Sequence, residues 1–313
     1  MENKEVIKAI MIGHAVGDAL GVPAEFSSRE DMDKVPMDDM EGYGTYALPE
    51  GSWSDDTSMS IAALDSLKRG YVDFEDVMHR FESWLYGNEY TSVGYVFDVG
   101  STCNDAISNY HNNRGKILPT ECGMKSENSN GNGSLMRIHP FVLFAYSKGM
   151  SMPELLSLVD SASSLTHAHP RARLACKIYA IVLTDLLYDR RIESVESSLN
   201  YARDYFKCHD QIAYFERLLS PDFKNTPREE IQSGGYVVHT LEAAIWCLLN
   251  SSDYKECVLK ATNLGRDTDT VAAVAGGLAA ALYGYSSIPD PWVKTLRRRD
   301  YIERICEDCA SGW

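Results

Sequence analysis

Apolar residues recur at spacings of three and four along most of the chain, the period of an α-helix with one buried face. The stretch KEVIKAIMIGHAVGDAL, residues 4–20, follows it throughout. DTSMSIAALDSLKRG (56–70) opens on acid and hydroxyl residues and stops at Gly70, and DFEDVMHRFESWLYG (73–87) repeats that start and stop at Gly87. MPELLSLVDSASSLTH (152–167) carries Pro153 near its first turn, where a missing N–H is tolerated. The same period predicts helices over 168–189, 193–206, 208–219, 236–250, 253–263 and 268–284. Strand-like alternation is scarce, and YVVHTLEAAIWCLL, β-branched at its start, is too long and too helix-periodic for a strand. Loops are expected at 22–52, 87–101, 112–135 and 220–235. The third, beginning NNRGKILPTECGMKSENSNGNG, is of a length that usually marks function or disorder. With no repeat and no Pro/Ser linker, the pattern predicts one all-α domain over residues 1–313, with a helical tail at 286–313.

Composition narrows the function. A hydrophobic share of 44% supplies a large core. The formal charge of −15 argues against a general nucleic-acid binder, which needs a basic face. An anionic ligand would therefore need metal ions, helix N-termini or a few placed arginines. MENKEVIKAIMIGHAVGDALG has charges where a signal peptide has its apolar core, so no targeting segment is read there. The uncharged run TVAAVAGGLAAALYGY (270–285) is too short to span a bilayer and suits a closely packed buried helix, so no membrane partner is expected. The cysteines follow no framework spacing. Cys306 and Cys309 form a lone C-x-x-C in what reads as a frayed terminal helix. A reducing cytoplasm is the expected compartment.

Candidate chemistry gathers at two helix starts. GSWSDDTSMS (51–60) sets Asp55 and Asp56 between Ser54 and Thr57, and LGRDTDTVAAVAGG (264–277) opens a second helix with Asp267, Asp269 and Thr270. Asp, Ser and Thr are preferred caps, and acids in a first turn favour the helix dipole, so either cluster alone reads equally well as a cap. One cap, however, satisfies one helix start, and adjacent acids repel unless something neutralises them. Hard divalent cations take carboxylate, hydroxyl and water oxygens, and two facing clusters offer enough of them for a pair of ions.

Five motifs in order, GHAVGDALGVPAEF (13–26), GSWSDDT (51–57), GNGSLMRIHP (131–140), THAHPRA (166–172) and GRDTDTVAAVAGGLAAALYG (265–284), resemble the ADP-ribosylglycohydrolase family of the dinitrogenase-reductase-activating type. They span about residues 5–285. The resemblance implies an all-α fold with a binuclear Mg²⁺ (or Mn²⁺) centre in a central cleft. It also implies hydrolysis of an ADP-ribosyl bond, most often the N-glycosidic bond to arginine, on a protein or a small ADP-ribosyl substrate. The implied metal ligands are Ser54, Asp55, Asp56, Asp267, Asp269 and Thr270, with serine at 54 where relatives have threonine. The glycine-aspartate element falls on Gly17, Asp18, Gly21 and Glu25, and Glu25 matches the glutamate that gates entry or assists catalysis beside Asp56 and Asp269.

For the nucleotide, the resemblance implies Asn132, Gly133 and Ser134, where glycines let backbone N–H groups approach a diphosphate. His167 is implied near the ADP-ribose, while His169 reads as a helix cap. Arg137 is open between meeting an anion and pairing with a core acid. FDVGST (97–102) resembles the loop by the ribose, making Asp98 and Gly100 candidates, Asp98 for a leaving guanidinium. Arg266 stands where relatives have glycine; it could neutralise the carboxylates, weaken the metals or reach a phosphate. Rival readings are an O-linked (serine-type) or small-metabolite hydrolase on the same scaffold, a non-catalytic crystallin-like protein, and a bare ADP-ribose-binding module.

Overall fold

The computed structural model describes residues 3–313. Its helices are α1 (Asn3–Gly21), α2 (Arg29–Lys34), α3 (Asp55–Leu67), α4 (Phe74–Gly87), α5 (Ser101–Asn113), α6 (His139–Ser147) and α7 (Met152–Ser164). They continue as α8 (Pro170–Tyr188), α9 (Glu193–Tyr205), α10 (Val237–Leu249), α11 (Tyr254–Thr262), α12 (Thr268–Tyr283), α13 (Asp290–Thr295) and α14 (Arg299–Gly312). Among the described residues there is no strand, only isolated bridges such as Gly131 to Tyr236.

The axis of the fold is the pair α1 and α12. Gly13, Gly17 and Gly21 lie four apart and share one face of α1. A Cβ on Gly17 would fall 2.1 Å from the Ala272 carbonyl oxygen, and one on Gly21 would fall 2.3 Å from Asp269 Cα. The two backbones therefore meet with no side chain between them. On the other side Ala272, Gly276 and Ala280 keep the surface equally low. Helix α12 is buried from Thr268 to Leu282, as an all-round apolar helix must be. This close crossing carries the start of α12, with its acids, up against the end of α1. By composition, α1 with the turn after it is apolar enough to cross a bilayer, but 89% of that window is buried against other helices.

Most predicted helices form within a residue or two of the expected bounds. The helix expected at 208–219 does not. That segment makes turns and a short 3-10 stretch, Ile212–Phe215, because the His209 ring accepts the Gln211 N–H at 3.2 Å and draws the backbone away from helical pairing. Three helices form where none was expected. Helix α2 inside the 22–52 loop is capped by Ser28, whose Oγ accepts the Asp31 N–H at 3.1 Å. Helix α5 buries Cys103, Ala106, Ile107 and Tyr110 along one face of a mostly polar stretch, and α6 is apolar nearly all round and hides its period. Nor is the terminal helix frayed. Cys306 and Cys309 of α14 are wholly buried, Cys309 Sγ lies 3.2 Å from the Leu64 carbonyl, and Trp313 donates to the Leu67 carbonyl at 2.7 Å.

Candidate active site

Three elements meet at the α1–α12 crossing. Asp18, in the last turn of α1, is wholly buried and caps a helix that is not its own. Its carboxylate accepts the Ser54 N–H at 2.9 Å, the Thr57 N–H at 3.0 Å and the Thr57 hydroxyl at 2.6 Å. With that duty taken by Asp18, the aspartates of α3 are released from capping. Ser54 is itself the N-cap residue of α3, and its hydroxyl donates to Asp56 Oδ2 at 3.0 Å. From α12, 214 residues on, the Thr270 hydroxyl reaches the same oxygen at 3.3 Å. Asp269 Oδ1 accepts its neighbour's N–H at 2.9 Å.

Two oxygens remain without any partner, Asp56 Oδ1 and Asp269 Oδ2, both buried. An orphaned buried carboxylate oxygen costs the full desolvation of a charged acceptor. Asp18, Asp56 and Asp269 bring oxygens within 4.8 Å of one another, and so do Glu25, Asp267 and Asp269. Asp269 belongs to both groups. Orphaned oxygens, hard ligands and a shared carboxylate fit divalent cations, and they do not fit helix capping, which Asp18 already performs for α3.

The cluster opens into a cleft of about 270 Å³ lined by Glu25, Phe26, Asp55, Asp98, Gly100, Gly131, Asn132, Gly133, His167, Asp267 and Thr270 among others. Asn132 donates to Asp267 Oδ2 at 2.8 Å and to the Thr240 hydroxyl at 2.9 Å, which ties the Gly/Asn loop to the start of α12. At Gly133 a Cβ would meet Cys103 Sγ at 2.7 Å and the His167 ring at 3.0 Å, so only glycine lets the loop pass there. Asp55 Oδ2 accepts the Gly100 N–H at 3.4 Å.

Two expected substrate residues face elsewhere. Ser134 is wholly buried, and its hydroxyl lies 2.9 Å from that of Ser163 and 3.5 Å from Cys176 Sγ, on the core side of the loop. Arg137 is likewise buried and meets neither an anion nor a core acid. It donates to the Ala162 carbonyl at 3.1 Å and the Thr166 hydroxyl at 2.7 Å, and stacks 4.9 Å from the Phe81 ring centre. Arg266 is exposed and does not line the cleft. His169 caps α8, accepting the Arg171 N–H at 3.2 Å. Conversely, Tyr46 was not singled out from the sequence, yet it donates to Glu25 Oε2 at 2.6 Å. Nothing in its loop position signals this. Asp18 lies inside a motif that was read, but its cross-helix capping is invisible to local spacing.

A model of the ADP-ribosylglycohydrolase family matches residues 2–313. The chain belongs to the ADP-ribosylglycohydrolase family. It is 32% identical over 309 residues to an ADP-ribosylarginine hydrolase of Serratia proteamaculans, covering 98% of this chain and 79% of that one. With the ADP-ribosyl-[dinitrogen reductase] glycohydrolase of Rhodospirillum rubrum it shares 30% identity over 288 residues, 91% of this chain and 88% of the relative. A solved structure of an ADP-ribosylglycohydrolase-related protein complex superposes with a TM-score of 0.81 at 30% identity over 99% of each chain.

The electrostatics of this glycohydrolase follow from crowding acids out of water. Burial first, then Asp98, pushes Glu25 up to about 8. Asp98 rises to about 6 by burial and by Asp267. Asp18 rises to about 6 by burial, with the donors from Thr57 and Ser54 pulling the other way. Asp55, Asp56 and Asp269 are driven well above the usual carboxylate range, by burial and then by one another and their acidic neighbours. His167 falls to about 3 through burial and the nearby Arg137 cation, so it meets any ligand as a neutral ring. Without a counter-charge these acids repel one another, and their oxygens are close enough together to share a cation.

Proposed function

We propose that this enzyme hydrolyses the N-glycosidic bond between ADP-ribose and an arginine side chain. It does so with two divalent cations, Mg²⁺ or Mn²⁺, held by Ser54, Asp55, Asp56, Asp267, Asp269 and Thr270. One observation carries the reading. Beyond the proposed ligands, the acids Glu25 and Asp98 line the cleft, and among the described residues no lysine or arginine does. Such a site favours a cationic leaving group and a transition state in which positive charge grows on the sugar. The arginine hydrolase and the dinitrogen reductase glycohydrolase among the relatives point the same way.

Held by these residues, divalent cations would supply Lewis-acid polarisation and would neutralise the carboxylates. The protein's own residues supply the rest. Glu25, held above the usual carboxylate range by burial and hydrogen-bonded by Tyr46, is the group placed to take and return a proton. The bond from the water oxygen to the anomeric carbon forms as the carbon–nitrogen bond breaks, and the water proton passes through Glu25 to the departing guanidine. Asp98 faces the growing positive charge. Gly131 and Gly133 let backbone approach the diphosphate, tied in place by Asn132, and the neutral His167 ring borders the nucleotide.

The test is ADP-ribose release from matched arginine-linked and serine-linked substrates, with Mg²⁺ and with excess EDTA. Metal-dependent release from the arginine-linked substrate is expected. Release from the serine-linked substrate alone would overturn the arginine assignment, and release in EDTA would overturn the metal assignment.

A further inference from the structure

Phe26 follows Glu25 directly and lines the cleft, yet it is 66% exposed. Its backbone is left-handed, at φ +67°, a conformation that strains a residue bearing a side chain. The strain is held by a strap of two backbone hydrogen bonds. The Phe26 N–H donates to the Arg266 carbonyl at 2.7 Å, and the Arg266 N–H donates to the Ser27 carbonyl at 2.7 Å. Arg266 is left-handed too, at φ +71°. A lone exposed ring needs no explanation. A ring held in the open by two strained residues, beside a functional glutamate, does.

Phe26 is also the first of a row. Its ring centre lies 6.5 Å from that of Tyr46, which lies 5.1 Å from that of Phe97. The row ends at Asp98, itself left-handed at φ +52°. Phe26 thus shares the cleft lining with Glu25 and Asp98, and Tyr46 and Phe97 continue the row from it. Aromatic faces with acids at their edge suit a flat organic cation. A phosphate gains nothing from this pairing.

We infer that Phe26, backed by Tyr46 and Phe97, forms the leaving-group subsite and takes the arginine guanidinium over its ring face, with Asp98 at its edge. This rests on the arginine reading above. Phe26 acts there as a specificity residue, gripping the half of the substrate that departs.

The experiment compares wild type with Phe26→Leu and Phe26→Tyr in Mg²⁺, measuring KM for ADP-ribosyl-arginine and the inhibition constant of ADP-ribose. Leucine keeps an apolar side chain and removes the π face, and tyrosine restores it. Because the ring is exposed, neither change removes core packing. A cation–π contact at an exposed ring predicts a KM about two- to fivefold higher in Phe26→Leu, regained in Phe26→Tyr. The ADP-ribose constant is expected to move less than about twofold. An unchanged KM overturns the inference and leaves the arginine reading intact. Equal losses in both constants place the ring under the nucleotide and overturn it as well. A wild type that releases nothing from ADP-ribosyl-arginine brings down the arginine reading, and this inference with it.

Discussion

Changing Asp269 to Asn separates a metal ligand from a helix cap. Asparagine keeps an oxygen for the Thr270 N–H, which Asp269 Oδ1 now accepts at 2.9 Å, so local geometry is preserved and only charge is lost. Asp269 belongs to both carboxylate groups, whose oxygens lie within 4.8 Å of one another. At that separation a pair of full charges repels by about 3.5 kcal/mol at an effective dielectric constant of about 20. Burial and its neighbours hold Asp269 well above the usual carboxylate range, so part of that repulsion is already relieved by protonation. We therefore expect about 1–2 kcal/mol of stabilisation in the metal-free protein at pH 7.5, or about 2–4 °C in Tm for a chain of 313 residues. Thermal unfolding in EDTA measures it. In Mg²⁺ the order reverses: wild type gains stability by binding, the variant gains little, and its turnover is lost. If Asp269→Asn lowers Tm in EDTA and keeps its response to Mg²⁺, the residue is a structural cap and the electrostatic reasoning fails.

In EDTA, Tm should fall as pH rises from about 5 to 8.5. Asp18, Asp98 and Glu25 all have folded values above their unfolded ones, to about 6, 6 and 8, so folding binds protons that are lost across that window. Saturating Mg²⁺ should flatten the slope, and a metal-free Tm that rises over the same range would contradict the assignment. Glu25→Gln should lower kcat by about 10²- to 10³-fold while keeping most of the Mg²⁺-induced rise in Tm, because Asp267 and Asp269 of the same carboxylate group remain; loss of both would make Glu25 a metal ligand first. Tyr46→Phe removes a hydrogen bond that pulls Glu25 downward, so the Glu25-dependent limb of the kcat profile should move to higher pH, and an unmoved profile would remove Tyr46 from the mechanism. Gly21→Ala sets a methyl 2.3 Å from Asp269 Cα, and overpacking of this kind should cost about 1–3 kcal/mol and weaken Mn²⁺ binding with it; a loss of stability with unchanged Mn²⁺ affinity would uncouple the helix crossing from the site.

The helices were legible where an amphipathic period ran between capping residues, as in α3 and α4. Helix α6 was not, because a helix apolar on nearly every side shows no period. The 208–219 segment misled because its apolar residues keep helical spacing while His209 takes a backbone N–H. At the site, the ligand clusters stood out because Asp and Thr in such numbers exceed what two caps require. Ser134 and Arg137 sit in the right motif but face the core, since a motif fixes position along the chain and not which side of a turn looks into the cleft. Asp18 capping another helix, and Tyr46 reaching Glu25 from 21 residues away, are tertiary facts with no local signature. The α1–α12 crossing, by contrast, was written in glycines at 13, 17 and 21, whose partner surface only the fold reveals.

If the acids at 54–56 and 267–270 hold cations jointly, Mn²⁺ binding followed by electron paramagnetic resonance will show it in wild type, Asp56→Asn and Asp269→Asn. Two bound ions per chain are expected in wild type and a loss of binding in either variant, since each removes one of the two orphaned oxygens. Absence of binding in the wild type, or binding that survives both substitutions, would contradict the joint site.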